Sequence, residues 1–598
     1  MDRFLLFPLL APVVLLAAGN DAFGFDPPGY LDSFIYVGYF WHYPEHLWVF
    51  DDNNNYKISR LPWILPGYVL HTLAGPLVAS YLLAYFTLTL GAVALYLLVK
   101  DCLNDRGSAA IVSVAWACCT WVHGNGGWNY QVLIAIDYYL MACWLVVRAA
   151  RARSSSLVLM AGALFAAAVH THLFLVVFAP LVAVLYVVAL PADDPRKLGR
   201  SLQAAGAVVV GGLALTVALA GINRATGGTW LFFMAQFDQA MRVTNPDYDH
   251  WWKGALQWLP AARYLVIPVA LMCAGLVVPF RRRHEEDRRM AIAFVVLAWA
   301  AFGIMCYFQL AGRLTTLDYS YVAFAVYPHA FACLGAVLSD ARRGAKDALV
   351  HAGIVTAVVL GTLLFLLPTP LPDVMNSMFQ ASALAHLWPI VTPLAVCLLG
   401  VTAMLLLRGT GRVILFAVWF SAVNAWLAPA RSSYGIGTPG YQQSMLKMFY
   451  EADRLTTEID PTLIGIKYWM SNDVLAMPTG DLPLRSVFDS FLATRAWFTN
   501  LLARKSPSPP IEQLTLADLE RGACIGVLSS VDRQVELQRA MEAHFASLDR
   551  PLRAVTVRRF EDDGLSFALA VLKPAASPDE GSAPCVPPGV NPRGERLQ

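Results

Sequence analysis

Runs of about 20 apolar residues recur along this chain, and the connections between them carry their basic residues in alternation. That pattern restricts the fold to helices crossing a bilayer, because a segment in hydrocarbon must satisfy its own backbone hydrogen bonds. Thirteen windows fit, near 4–19, 78–99, 108–122, 131–147, 157–169, 173–190, 202–222, 264–280, 290–310, 318–338, 349–367, 388–407 and 413–430. With 57% hydrophobic residues, only 14% charged ones and a mean hydropathy of +0.52, the chain is too apolar to be a soluble domain. Its net charge of +2 gives no reason to expect a nucleic-acid partner. The run Phe4–Gly19 behind Arg3 has the outline of a secretory leader, but no small-residue cleavage site precedes a soluble domain, so it reads as a retained first span.

Orientation follows from the basic residues. Lys100 and Arg106; Arg148, Arg151 and Arg153; Arg196, Lys197 and Arg200; Arg281 to Arg283 with Arg288 and Arg289; Arg342, Arg343 and Lys346; and Arg408 and Arg412 all fall in alternate connections. The positive-inside rule makes these connections cytoplasmic, with the N-terminus in and the C-terminus out. Residues 1–430 then form the transmembrane domain, and its first outer loop, 20–77, faces outward. From Arg431 the apolar runs shorten and charges interleave with turn residues. The pattern predicts strands at Leu463–Met470 and Ala523–Leu528, a helix at Asp532–Ala546 and a hairpin of Leu552–Phe560 with Ser566–Leu572. Residues 431–575 therefore read as a small extracytoplasmic α/β domain, and the Pro-, Ser- and Gly-rich tail 576–598 as disordered. Cys524 and Cys585 both fall outside, where a disulfide is permitted, and their pairing stays open. The other eight cysteines sit in or beside spans as small packing residues.

The first outer loop holds the most informative residues. Helical spacing puts Asp32, Tyr36, Tyr39 and Tyr43 on one stripe, opposite Leu31, Phe34, Ile35, Gly38 and Trp41. The reading is a helix lying in the membrane interface, apolar side down and carboxylate up. Asp32 is either a catalytic base or an ordinary stripe carboxylate facing water. Lys57 and Arg60, in Tyr56-Lys57-Ile58-Ser59-Arg60-Leu61-Pro62-Trp63, are phosphate-binding cations or plain interface anchors. His170 and His172, at i and i+2, could chelate a metal only if the helix has already broken between them. They otherwise serve as interface histidines or contact a phosphate or a sugar hydroxyl. Aromatics crowd the loop 223–264, where they can form an interfacial belt and also stack on sugar rings. His123–Tyr130 reads as a Gly-rich turn between the third and fourth spans. Arg313 in the turn before Tyr319 suits a lipid phosphate, or snorkels to the interface. Asp137, within the fourth span, is costly there unless paired.

Asp32 with Tyr36, the Tyr56–Trp63 segment leading into the next span, and the late Tyr319-Ser320-Tyr321 to Tyr327-Pro328 stretch together resemble the GT-C fold of membrane glycosyltransferases. Within that fold the chain is similar to the group of bacterial lipid-A aminoarabinose transferases and protein O-mannosyltransferases. Where that group shows Asp-Glu, this chain has Asp32-Ser33, which leaves open whether a divalent cation such as Mg or Mn takes part. The resemblance implies an inverting glycosyltransferase that moves a sugar from a polyprenyl-phosphate carrier to an acceptor hydroxyl of an envelope glycan, lipid or protein. It places the enzyme in a bacterial inner membrane, in contact with membrane lipids. Asp32 would be the base, with Lys57, Arg60 and Arg313 receiving the phosphate and Tyr36, Tyr56, His170, His172 and Tyr319 lining the substrate. The rival class is a transporter or flippase, which would want charges midway through several spans; here Asp137 is the main one.

Overall fold

The computed structural model describes residues 2–17, 23, 32–46, 56–244, 265–276, 278, 285–312, 314–317, 319–342 and short stretches between 443 and 575. The expected spans 349–367, 388–407 and 413–430, the tail, Cys585 and Arg313 lie outside them. In chain order the helices are α1 (Leu6–Ala17), α2 (Asp32–His46), α3 (Leu61–Ala74), α4 (Pro76–Leu103), α5 (Arg106–Cys118), α6 (Thr120–Gly126), α7 (Gln131–Ala152) and α8 (Ser155–Thr171). A 3-10 segment, Leu173–Phe178, leads into α9 (Ala179–Ala189), followed by α10 (Lys197–Ala225), α11 (Met234–Thr244), α12 (Val266–Gly275), α13 (Glu285–Leu310), α14 (Ser320–Ala323) and α15 (Tyr327–Arg342). Among the described residues, five stretches are long and apolar enough to cross a membrane: α4, α7, α10, α13 less its first residue, and the α14–α15 run Ser320–Asp340.

Local chemistry sets the boundaries. The Asp105 carboxylate accepts from the amides of Gly107 and Ser108, both at 3.1 Å, and so starts α5. Ser154 caps α8 in the same way. α3 and α4 each carry proline in the first turn, where its missing amide costs nothing, and the corner between them is Gly75 at φ 74°. That backbone region favours a residue without a Cβ.

The expected span at 108–122 is two helices: Cys119 is extended, at φ −72° and ψ 117°, and ends α5 before α6 begins. This corrects the expected turn at His123–Tyr130 as well, since its first four residues belong to α6. The windows at 4–19, 157–169, 173–190 and 264–280 correspond to shorter helices, which by length alone do not meet the spanning criterion.

The Ser320–Asp340 stretch forms the centre of the bundle, 94% buried in its apolar window, against 17% for α10 at the rim. α8 and α10 approach closely at two glycines. A Cβ on Gly162 would stand 2.1 Å from the Val208 carbonyl oxygen, and one on Gly211 would stand 2.0 Å from that of Leu159. Either contact is far inside van der Waals distance, so a side chain there would force the helices apart.

In the C-terminal part a four-stranded sheet has the order β1-β4-β6-β5, built from β1 (Ile466–Met470), β4 (Cys524–Ser529), β5 (Leu552–Asp562) and β6 (Leu565–Pro574). β1 and β4 are parallel, and the β5–β6 hairpin adds antiparallel strands with a register shift between Ala554 and Thr556. A separate short pair joins β2 (Pro478–Thr479) to β3 (Leu482–Pro483). A helix, α16 (Gln534–Ser547), separates β4 from β5.

Candidate anion site at the end of the bundle

The turn at 56–59 places two cations three residues apart. Ser59 Oγ donates to the Tyr56 carbonyl at 2.7 Å, the Arg60 amide donates to the Lys57 carbonyl at 3.2 Å, and Arg60 then serves as the N-terminal cap residue of α3. Lys57 Nζ reaches Asp32 Oδ1 at 2.5 Å. Asp32 opens α2, where the partial positive charge of the helix N-terminus favours a carboxylate. The next residue holds that end in place: Ser33 Oγ, fully buried, donates to the Trp128 carbonyl at 2.7 Å. A glutamate at this position would set a carboxylate against a carbonyl oxygen. The serine at this position thus has a structural use, which sequence reasoning missed.

Arg60 is buried in a cage of phenols. Its Nη1 donates to the Tyr36 hydroxyl, and its guanidinium lies over the Tyr56 ring at 5.0 Å and the Tyr36 ring at 5.9 Å. Burial works against its charge, but the oxygens of Tyr36, Tyr56 and Tyr130 together with Asp32 outweigh it and hold the group protonated above its ordinary value. Burial likewise raises the Tyr36 phenol well above its usual range, with Arg60 acting the other way. Among the described residues, Arg60 Nε has no hydrogen-bond partner.

Beyond the cage the wall is aromatic. Tyr36 meets Tyr130 edge-on at 6.4 Å, Tyr130 meets Tyr321 at 6.1 Å and 90°, and Tyr321 leans on Tyr319 at 5.3 Å. The charges of Asp32 and Arg60 both act on Tyr130 and Tyr321. His172, the residue at which α8 stops, also feels Arg60; burial first and that cation second depress its pKa to about 3, so it is neutral. Its Nε2 is buried without a hydrogen-bond partner among the described residues.

Asp32, Lys57, Arg60, Tyr36 and Tyr56 are therefore gathered in one place, with His172 and Tyr319 on its margin. His170 is not with them. Its Nε2 pairs with Thr216 Oγ1 of α10 at 2.8 Å, and its ring packs on Phe232 and Phe233; α8 does end between the two histidines, at Thr171, but the His170 Nε2 is already taken up by that hydrogen bond. Arg313 lies outside the described residues.

The tyrosine stripe behaves differently from its expected role. Tyr36, Tyr39 and Tyr43 are at most 1% exposed, so that face of α2 packs into the protein against α3, and a stripe looking into open water is ruled out. Tyrosine rings supply enough apolar area to make burial the better outcome. The sequence marks Tyr130 in a turn and Tyr321 in the late aromatic stretch, but no periodicity links either to Asp32. They come from different connections, at the start of α7 and within α14, and meet through their edge-on ring contact.

The arrangement can bind an anion and accept a proton: one carboxylate, two cations and two unsatisfied nitrogens share a largely dry aromatic surround. Among the described residues no three His, Cys, Asp or Glu side chains gather as metal ligands. No family model matches this sequence, and no curated protein matches it either.

Proposed function

We propose that this protein is an inverting glycosyltransferase of GT-C type, acting at the outer face of a bacterial inner membrane. It would draw a sugar from a polyprenyl-phosphate carrier and attach it to an envelope glycan, lipid or protein. The observation that carries this reading is the Asp32–Lys57–Arg60 cluster, in which a carboxylate at a helix start faces two cations beside an aromatic wall. The thirteen-span plan, the outward C-terminal α/β domain and its use in positioning acceptor belong to the same proposal.

In the reaction, the acceptor oxygen attacks the anomeric carbon on the side opposite the phosphate. The C–O bond to the acceptor forms as the bond from that carbon to the phosphate oxygen breaks, and the bonding pair leaves with polyprenyl phosphate. A hydroxyl is too weak an acid to ionise first, so Asp32 takes its proton as the new bond forms. Negative charge grows on the departing phosphate. Fixed cations in a water-poor site meet it with little reorganisation, a role suited to the fork of Arg60 and the ammonium of Lys57. Tyr56, Tyr319 and Tyr321, which are only partly buried, offer rings on which a pyranose can pack.

The test supplies the purified full chain with polyprenyl phosphate carrying a radiolabelled sugar, and envelope extract as acceptor. The reading predicts label in a new glycoside, lost in Asp32→Asn. Full transfer by that variant would remove Asp32 from the mechanism.

One feature favours a transporter as second reading. Asp137 is fully buried within α7, and among the described residues neither carboxylate oxygen has a hydrogen-bond partner. Intramembrane acids of this kind mark proton and ion paths. Movement of the lipid across a sealed vesicle with no new glycosidic bond would favour it.

A further inference from the structure

A base that must take a proton needs an open oxygen, and here one of the two Asp32 carboxylate oxygens, Oδ1, is held by the Lys57 ammonium at 2.5 Å. The second cation is differently held. Arg60 is fixed by the Tyr36 hydroxyl and by two rings, whereas Lys57 stands on a four-carbon stem from a surface turn, its side chain 15% exposed and that of Asp32 19%. Both cations lie over the same Tyr56 ring, Lys57 at 5.9 Å and Arg60 at 5.0 Å. An anion that settles on Arg60 therefore arrives within reach of Lys57.

We propose that Lys57 is a switch that rests on Asp32 when the site holds no donor and is drawn off it by the donor phosphate. The inference rests on the transferase reading above and adds an order to it. Donor comes first, because its phosphate frees the oxygen that Lys57 holds; acceptor follows, because that oxygen is then open to orient its hydroxyl. An enzyme built this way also keeps that oxygen occupied until a sugar donor is in place. The exchange breaks one ion pair and makes another, so little net electrostatic energy separates the two states, as a switch requires.

The prediction that separates a switch from a fixed ion pair is counterintuitive. If phosphate and Asp32 compete for Lys57, removing the carboxylate charge strengthens phosphate binding, and does so only while Lys57 is present. The experiment measures binding of farnesyl phosphate, with farnesol as control, to the purified full chain and to Asp32→Asn, Lys57→Met and the double variant. Thermal midpoints confirm folding, and Lys57→Gln serves if the methionine variant is unstable. The switch predicts about fivefold tighter binding in Asp32→Asn, the fold-change of a partly exposed ion pair worth about 1 kcal/mol, and no gain from the same change in the Lys57→Met background. An equal gain in both backgrounds would reduce the effect to charge repulsion and overturn the switch while leaving the transferase reading intact. No gain in either background, or weaker binding, would overturn it as well. Failure of the unaltered protein to prefer farnesyl phosphate over farnesol would overturn the transferase reading itself, and the switch with it.

Discussion

The two ends of the bundle hold their charges in opposite ways. At one end, connections read as cytoplasmic bring Asp2, Lys100, Asp101, Arg106, Arg148, Arg151 and Glu286 together. Asp101 accepts from Trp144 Nε1 at 2.9 Å and lies 3.7 Å from both Lys100 and Arg148; Asp2 accepts from the Tyr96 hydroxyl at 2.8 Å with Arg106 at 3.7 Å; Arg151 pairs with Glu286 at 3.0 Å. Asp2 and Asp101 are each served by several donors, Glu286 by Arg151, and the ends of α4, α5, α7 and α13 are tied together. At the other end Asp32 has Lys57 as its ion-pair partner, and Arg60 Nε and His172 Nε2 lack hydrogen-bond partners among the described residues. A cluster that satisfies itself fastens helices. A cluster that leaves buried donors unsatisfied has capacity for something else, since an orphaned polar atom costs stability that packing must offset.

That contrast can be broken most sharply by neutralising one acid at each end. Asp32→Asn is expected to reduce sugar transfer by about a thousandfold, the scale of a lost general base. Asp101→Asn should leave the transfer rate within about twofold and instead lower the thermal midpoint by a few degrees. Equal losses of transfer from both would erase the distinction. Next in size, Arg60→Lys keeps the charge but loses the planar fork and the stacking on Tyr56. It should lower kcat about a hundredfold, within the range for loss of one preorganised donor, with Arg151→Lys as the near-silent counterpart.

A smaller effect is read in acid. Burial depresses the pKa of His71, in α3, to about 4, and that of His172 to about 3, both from an ordinary 6.5. Between those values the unfolded chain binds the protons that the folded chain excludes. The stability these groups contribute is therefore full above pH 6.5, declines as the pH falls, and levels off near pH 3 to 4. A thermal midpoint that rises on acidification across this window would contradict the assignment. The smallest change is Tyr138→Phe. Its hydroxyl donates to the Pro62 carbonyl at 3.0 Å, in the first turn of the helix that Arg60 caps, and its loss should cost about 1 kcal/mol of stability with a severalfold effect on transfer.

The membrane plan was legible in the sequence wherever an apolar run exceeded the bilayer's thickness. α4, α7, α10, α13 and the Ser320–Asp340 stretch lie where hydropathy put them, because continuous apolarity needs no tertiary information. The window at 108–122 differs for a definite reason: the break at Cys119 lies inside an apolar run, so nothing polar announces it. The C-terminal strands β1, β4, β5 and β6 overlap the segments marked by alternation. Within the site, Asp32, Lys57 and Arg60 were visible as polar residues in an aromatic, interfacial segment. Ser33 was visible only as a missing acid, and its hydrogen bond to the Trp128 carbonyl spans 95 residues of chain. No local pattern encodes such a contact, and the same holds for Tyr130 and Tyr321. The stripe of Tyr36, Tyr39 and Tyr43 was correctly placed on one face, but amphipathic rings do not say whether that face meets water or protein.

The measurement that bears most directly on this account is a cryo-EM map of the full chain with farnesyl phosphate bound. The account predicts phosphate density between the Arg60 guanidinium and Lys57 Nζ, at ordinary charge-assisted hydrogen-bond distances of about 2.8 Å, with the Asp32 carboxylate vacated by the lysine. Phosphate density at the opposite end, among Lys100, Arg106 and Arg148, or none near Arg60, would contradict it.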